Sequence, residues 1–274
     1  MSLIELKDVS YKYPNGFTAV DKVSFSIDKG CKVAIIGQNG AGKTTTVKMI
    51  NGLLKPTSGT ILFEGEDTIK YTTAQMSRKV GYVFQNPDDQ IFNSTVYKEM
   101  EYGLKKYGLS QSEIDKRIEY AADLAGIKDY LQDNPYDLPF SLRKFVTIAS
   151  VIATDCDVLI FDEPTAGQDL KGLKILSKII YKLTSKGKSI ITITHDMEFV
   201  ADNFDNIIVM ANKHVIDSGK AEEVFSKSEV MKEAKLKAPT MINIIDKLQI
   251  NDRFLDVDSL INAINKNRNL NINR

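Results

Sequence analysis

Gly37, Gln38, Asn39, Gly40, Ala41, Gly42, Lys43 and Thr44 follow the order G-x-x-x-x-G-K-T. These residue types at this spacing suit a cradle for phosphate groups. Glycines let backbone N–H groups turn inward, and a helix starting at the end of the loop adds positive potential. In such a loop the Lys43 ammonium reaches the β- and γ-phosphates of a nucleotide, and the Thr44 hydroxyl ligates Mg²⁺. Further along, Asp162 and Glu163 close the apolar run Val158, Leu159, Ile160 and Phe161. The first carboxylate after such a run can hold Mg²⁺, and a second at the tip can polarise an attacking water. His195 ends another apolar run, on the edge where open α/β sheets bind their ligands.

A glycine-rich turn carries this meaning only between a strand and a helix. Residues 32–36 read as a buried parallel strand, and residues 45–50 as the start of a helix that a glycine, Gly52, ends. Ahead of them, 4–9 and 19–27 read as two strands joined through a turn at Pro14-Asn15-Gly16, an antiparallel hairpin carrying Tyr11 and Tyr13. An aromatic there can stack on adenine or can be an ordinary sheet residue. Strands follow at 60–63 and 80–84, the latter ending in Gln85. Residues 95–125 carry helical periodicity without a strand, with Tyr102 among the apolar positions and Ser110 as an N-cap. A helix at 141–153, the strand ending in Asp162, a helix at 170–183, a strand at 189–194 and a hairpin around 211–213 complete the pattern. Strands alternating with helices define an α/β fold with a parallel core sheet.

The chain has 274 residues, 43% of them hydrophobic, enough for a sizeable core. Its 36 basic and 36 acidic residues cancel, so no overall charge favours nucleic acid. Two cysteines and two histidines lie far apart in sequence, which speaks against a structural zinc site. Cys31 and Cys156 read as small buried hydrophobes in a reducing compartment. The N-terminus lacks a signal-peptide layout, and no apolar run approaches the ~20 residues that span a bilayer. The expectation is a chain soluble by itself, whose membrane role comes through a partner. Beyond Pro239, apolar residues recur at helical spacing (Met241, Ile244, Ile245 and Leu248, then Phe254, Val257, Leu260, Ile261 and Ile264) and should pack on the main domain or on a partner. Residues 265–274 are Asn-rich and polar and are expected to fray.

With these motifs in this order, residues 3–225 resemble an ATP-binding cassette ATPase, the nucleotide-binding subunit of an ABC transporter. The resemblance rests on the P-loop Gly37 to Thr44, on Gln85, on Asp162-Glu163, on Ala166-Gly167-Gln168-Asp169 and on His195. It implies ATP and Mg²⁺ as ligands, with Thr44, Gln85 and Asp162 around the metal, and Thr45 counted with the nucleotide-binding residues. It implies Glu163 as catalytic base, His195 on the γ-phosphate, Asp169 at a dimer interface and Tyr13 as the aromatic on adenine. The stretch 83–92 (Val-Phe-Gln-Asn-Pro-Asp-Asp-Gln-Ile-Phe) narrows the resemblance to the ATPases of energy-coupling factor importers, which take up vitamins or metals such as cobalt and nickel. By that resemblance residues 1–220 form the nucleotide-binding domain, an N-terminal antiparallel β subdomain and a parallel core with a helical subdomain at about 90–155. Residues 221–274 form a helical extension for subunit pairing. The partners implied are a second ATPase subunit, an integral-membrane coupling protein and a substrate-binding membrane protein, at the cytoplasmic face of the cell membrane, with no nucleic acid.

One segment departs from the family. Where it carries L-S-G-G-Q, this chain has Leu138, Pro139, Phe140, Ser141 and Leu142. Proline has no backbone N–H to donate, and a phenylalanine ring stands where glycine lets backbone approach phosphate. A shift of register to use Ser141 would move the whole following helix. Two functions therefore stand side by side: an ATP hydrolase driving import, and a nucleotide-binding scaffold or regulator with little turnover. A soluble cassette protein of translation or DNA repair is a third, but the second cassette or long coiled coil of such proteins is not found in this sequence.

Overall fold

The computed structural model describes residues 2–248, 250, 254–255, 257–262 and 264. Strands β1 (Ser2–Lys12) and β2 (Thr18–Asp28) pair antiparallel, followed by β3 (Lys32–Ile36) and helix α1 (Lys43–Ile50). Then come β4 (Ser58–Phe63), the short β5 (Glu66–Asp67), α2 (Thr73–Ser77) and β6 (Val80–Val83). Helices α3 (Val96–Lys105), α4 (Gln111–Ala125) and α5 (Phe140–Ala153) form the helical insertion. The core resumes with β7 (Val158–Asp162), α6 (Leu170–Thr184), β8 (Ser189–Ile193), α7 (Met197–Asn203), β9 (Asn206–Ala211) and β10 (His214–Lys220). Beyond it lie α8 (Ala221–Phe225), α9 (Ser228–Glu233) and α10 (Thr240–Lys247).

Two sheets result, one with order β2-β1-β4-β5 and one with order β10-β9-β3-β8-β7-β6. In the second sheet, β9, β3, β8, β7 and β6 run parallel, and β10 joins antiparallel at the edge. β7 and β8 are buried at every position, because helices cover one face and the antiparallel sheet with α1 covers the other. The register sets Val83 opposite Phe161, Asp162 opposite Ile193 and Ile35 opposite Ile193. The residues following β6, β7, β8 and β3 therefore emerge along one edge of the sheet.

Local chemistry fixes the helical insertion. Thr95 caps α3, and Ser110 with Glu113 forms a reciprocal capping box on α4, which ends at left-handed Gly126. The buried Glu99 carboxylate accepts from the N–H groups of Phe92 and Asn93 and pins the loop that leads into α3. Two expectations need correction. Tyr102 is not on the buried stripe. It faces solvent edge-on to exposed Phe92, with the Lys106 ammonium over its ring. Cys31 is only half-buried at the entry to β3, whereas Cys156 is buried as expected.

The first helices of the tail share the cassette's core. Val224, Phe225, Met231, Ala234 and Ile242 are buried in the same cluster as the side chains of α6 and α7. A cut after Ser218 would remove these core side chains together with the tail. Ile244, Leu248, Val257 and Ile261 are exposed. The polar segment 265–274 lies outside the described residues.

Candidate active site

A cleft of about 260 Å³ opens at the sheet edge where β3, β6 and β7 end, lined by Asn39, Lys43, Thr44, Gln85, Asp162 and Glu163 among others. The loop residues 37–42 wrap tightly. At Gly37, φ +149°, an added Cβ would lie 2.0 Å from the Met210 carbonyl oxygen, and at Gly42, φ +100°, 2.6 Å from that of Ala19. No other residue type fits either place, so the glycines are dictated by the close approach of the backbone. Lys43 is buried, and its ammonium donates to the carbonyls of Gly37 (2.7 Å) and Gln38 (3.1 Å). Burial pulls its pKa down, while the carboxylates of Glu163 and Asp162 work the other way.

Asp162 lies in reach of the loop across the sheet. Its Oδ1 is 3.5 Å from the Thr44 hydroxyl, and its Oδ2 accepts a 2.6 Å hydrogen bond from the Tyr82 hydroxyl. Tyr82 is buried on β6 and orients the carboxylate, the part that outer groups play around metal ligands. Burial next to Asp162 pushes the Tyr82 phenol far up, so it stays a donor. The oxygens of Thr44, Gln85 and Asp162 are hard donors of the kind Mg²⁺ takes while sharing its remaining positions with phosphate and water. The donor set therefore fits that ion.

Glu163 follows β7 in a left-handed conformation, φ +49°. Its N–H donates to the Ile193 carbonyl, and its Oε2 lies 2.9 Å from His195 Nδ1. Burial raises the pKa of this carboxyl, opposed by His195 and Lys43. The sequence placed Glu163 and His195 on one edge but did not pair them. The pairing follows from the parallel register of β7 and β8. Against an ionised carboxylate Nδ1 is the donor, which leaves Nε2 on the exposed side of the ring.

Tyr13 lines the cleft, with its hydroxyl 3.3 Å from Thr45 Oγ1. Sequence reasoning missed its neighbour Phe17, which stacks on Tyr13 at 6.5 Å and lies half exposed on the same wall. Phe17 stands just beyond the Gly16 turn, outside any periodic run, so only the turn itself could have signalled it. At the departing segment α5 begins at Phe140, with Pro139 at the N-cap position and no side-chain cap.

A parallel sheet whose P-loop follows β3, with an aspartate and a glutamate together at the end of β7 one strand away, defines a P-loop nucleoside triphosphatase. The sequence profile of the ABC transporter family matches residues 20–166, and the chain belongs to that family as an ATP-binding, ATP-hydrolysing subunit. An energy-coupling factor transporter ATP-binding protein, EcfA, of Methanococcus maripaludis is 35% identical over 92% of this chain and 92% of its own length. A protein of the same name from Methanoculleus marisnigri is 37% identical over 94% and 93%. The solved structure of cbiO1 from Clostridium perfringens, part of the cbiONQ ABC transporter complex, superposes with TM-score 0.76. It is 34% identical, covering 89% of this chain and 99% of that one.

Proposed function

We propose that this chain is the ATPase of an energy-coupling-factor-type importer, bound peripherally to membrane partners and driving uptake of a vitamin or transition-metal ion. The observation that carries the reading is the likeness to EcfA over 256 residues, a span longer than residues 1–220 and therefore reaching into the tail. No described helix is long and apolar enough to cross a membrane.

In this reading the loop N–H groups and Lys43 hold the phosphates, and Tyr13 with Phe17 offers ring faces to adenine. Thr44, Gln85 and Asp162 would hold Mg²⁺, which when bound would offset charge on the phosphate oxygens. Glu163 takes a proton from the attacking water. Its raised pKa makes it a stronger base than an exposed carboxylate, and His195 fixes its orientation. The degenerate segment Leu138 to Leu142 favours a second reading, a nucleotide-binding regulator with little turnover of its own.

Tagged chain expressed in its own cells and extracted from membranes in mild detergent is expected to bring out a second ATPase and at least two integral-membrane proteins. Recovery with ribosomes or repair proteins, and no membrane protein, would refute the transport assignment.

The exposed residues Ile244 and Leu248, and Val257 and Ile261, repeat four apart and give the tail an apolar face for pairing with the second ATPase. Replacing Leu248 and Ile261 together with aspartate is expected to weaken subunit association by at least ~10-fold, an estimate from the loss of two buried leucine-sized contacts. Folding should be unaffected, because neither side chain is in the core. An unaltered association constant in sedimentation would count against pairing through this face.

A further inference from the structure

Lys144 is fully buried, and it has no carboxylate within ion-pair distance among the described residues. It is the fifth residue of α5, at the start of the second turn and just behind the departing segment. Its ammonium donates instead to two backbone carbonyls, those of Glu163 and, at 3.2 Å, Ala166. A buried cation held by two carbonyls and by the Phe140 ring, 5.7 Å from its Nζ, is still costly, and burial indeed lowers its pKa, with the charges of Glu163 and Asp162 opposing. A fold keeps such a group where the hydrogen bonds fix something that apolar packing would not.

What these bonds fix is the peptide of Glu163. That residue is in the left-handed region, which a non-glycine side chain occupies only when its surroundings hold it there. Its N–H is tied to Ile193 of β8, its side chain to His195, and its carbonyl to Lys144. The third tie is the only one of these from the helical insertion. Two more contacts join the same pieces. The Phe140 ring lies against Gly167, where an added Cβ would come within 3.1 Å of it, and the Gln168 amide donates to the Ser141 carbonyl at 3.2 Å.

We propose that Lys144 is a positioning residue that clamps the strained backbone of Glu163 to the start of α5, so that the departing segment of this chain sets the orientation of its own base. The inference rests on the reading of Glu163 as the base. It links the segment at Pro139 and Phe140, which does not line this chain's P-loop cleft, to the carboxylate inside that cleft. The start of α5 thereby has a task within its own subunit even though its loop has lost N–H donors.

The test is Lys144→Met, which keeps the length and apolar stem and removes the donor, in the full-length chain purified with the subunits it carries from its own membranes. Calorimetry should show Mg²⁺-ATP affinity within about twofold of the parent, while kcat falls by about 10- to 100-fold, the effect of displacing a catalytic group by about an ångström. In a Glu163→Gln background the same change should cost almost nothing more, because the residue it positions no longer acts. Should the methionine variant lose ATP binding, Lys144→Gln repeats the measurement with a polar side chain. Loss of binding in both overturns the assignment and makes Lys144 a residue of the fold. Unchanged kcat, or an equal loss in the Glu163→Gln background, overturns it as well. Full turnover by Glu163→Gln alone would instead strike the base reading, whereas an inactive Glu163→Gln beside an unaffected Lys144→Met strikes only the clamp.

Discussion

Replacing Lys43 with alanine is expected to weaken ATP binding by about 10²–10³-fold, the loss of two charge-assisted hydrogen bonds of roughly 1.5–3 kcal/mol each with some offset. The fold should survive. The ammonium is buried at a cost that its lowered pKa records, so removing it also removes a desolvation penalty. Lys43 itself lines the cleft, so water can enter the space its side chain leaves and reach the carbonyls of Gly37 and Gln38. Affinity and stability therefore separate in this variant. A calorimetric titration giving the parent's affinity would remove Lys43 from the phosphate site, and with it the reading of the loop. A large drop in the thermal midpoint would show instead that the ammonium holds the loop together.

Much of this site was legible because its parts are contiguous. A P-loop, a strand ending in two carboxylates and a strand ending in histidine each declare themselves within ten residues, and parallel pairing leaves one edge for all of them. The hairpin, the N-cap at Ser110 and the helical block without a strand were legible for the same reason. What escaped depends on pairs distant in sequence. Tyr82 reads as one more apolar strand residue until the register of β6 and β7 brings its hydroxyl to Asp162. Lys144 reads as a surface charge early in a helix, because a lysine buried against carbonyls is rare and no local pattern marks it. Tyr102 misled in the opposite sense: its spacing fits the helical stripe, but its position on α3 turns toward Phe92 and solvent. The tail was ambiguous in sequence between packing on the cassette and pairing with a partner. In the fold Val224, Phe225, Met231, Ala234 and Ile242 complete the core, whereas Ile244, Leu248, Val257 and Ile261 stay exposed.

Glu163→Gln is expected to bind ATP and to hydrolyse it about 10²–10⁴-fold more slowly, the usual worth of a positioned base. In the parent, turnover should fall as pH drops through the pKa of Glu163, since only the ionised carboxylate accepts a proton. Burial raises that pKa, so the fall should begin at higher pH than for an exposed glutamate. Glutamine cannot titrate, and this acid limb should vanish from the residual activity of the variant. The resemblance to paired cassettes sharpens the expectation. There each site takes its P-loop and carboxylates from one subunit and its signature loop from the other. Two copies of this chain would place Pro139 and Phe140 at both sites. Proline donates no N–H, and the exposed Phe140 ring occupies the first position of α5, so each site would lose transition-state donors worth about 2.7–4 kcal/mol apiece. A partner with an intact signature repairs only the site built on this chain's Lys43, Asp162 and Glu163. The site that uses this chain's own segment should hold nucleotide and turn it over poorly. In the reconstituted pair, Glu163→Gln in this chain should nearly stop hydrolysis, while the matching change in the partner should matter far less. Equal losses from the two changes, or brisk hydrolysis by this chain purified alone, would show that the altered segment still serves the transferring phosphoryl group and that the two sites are equivalent.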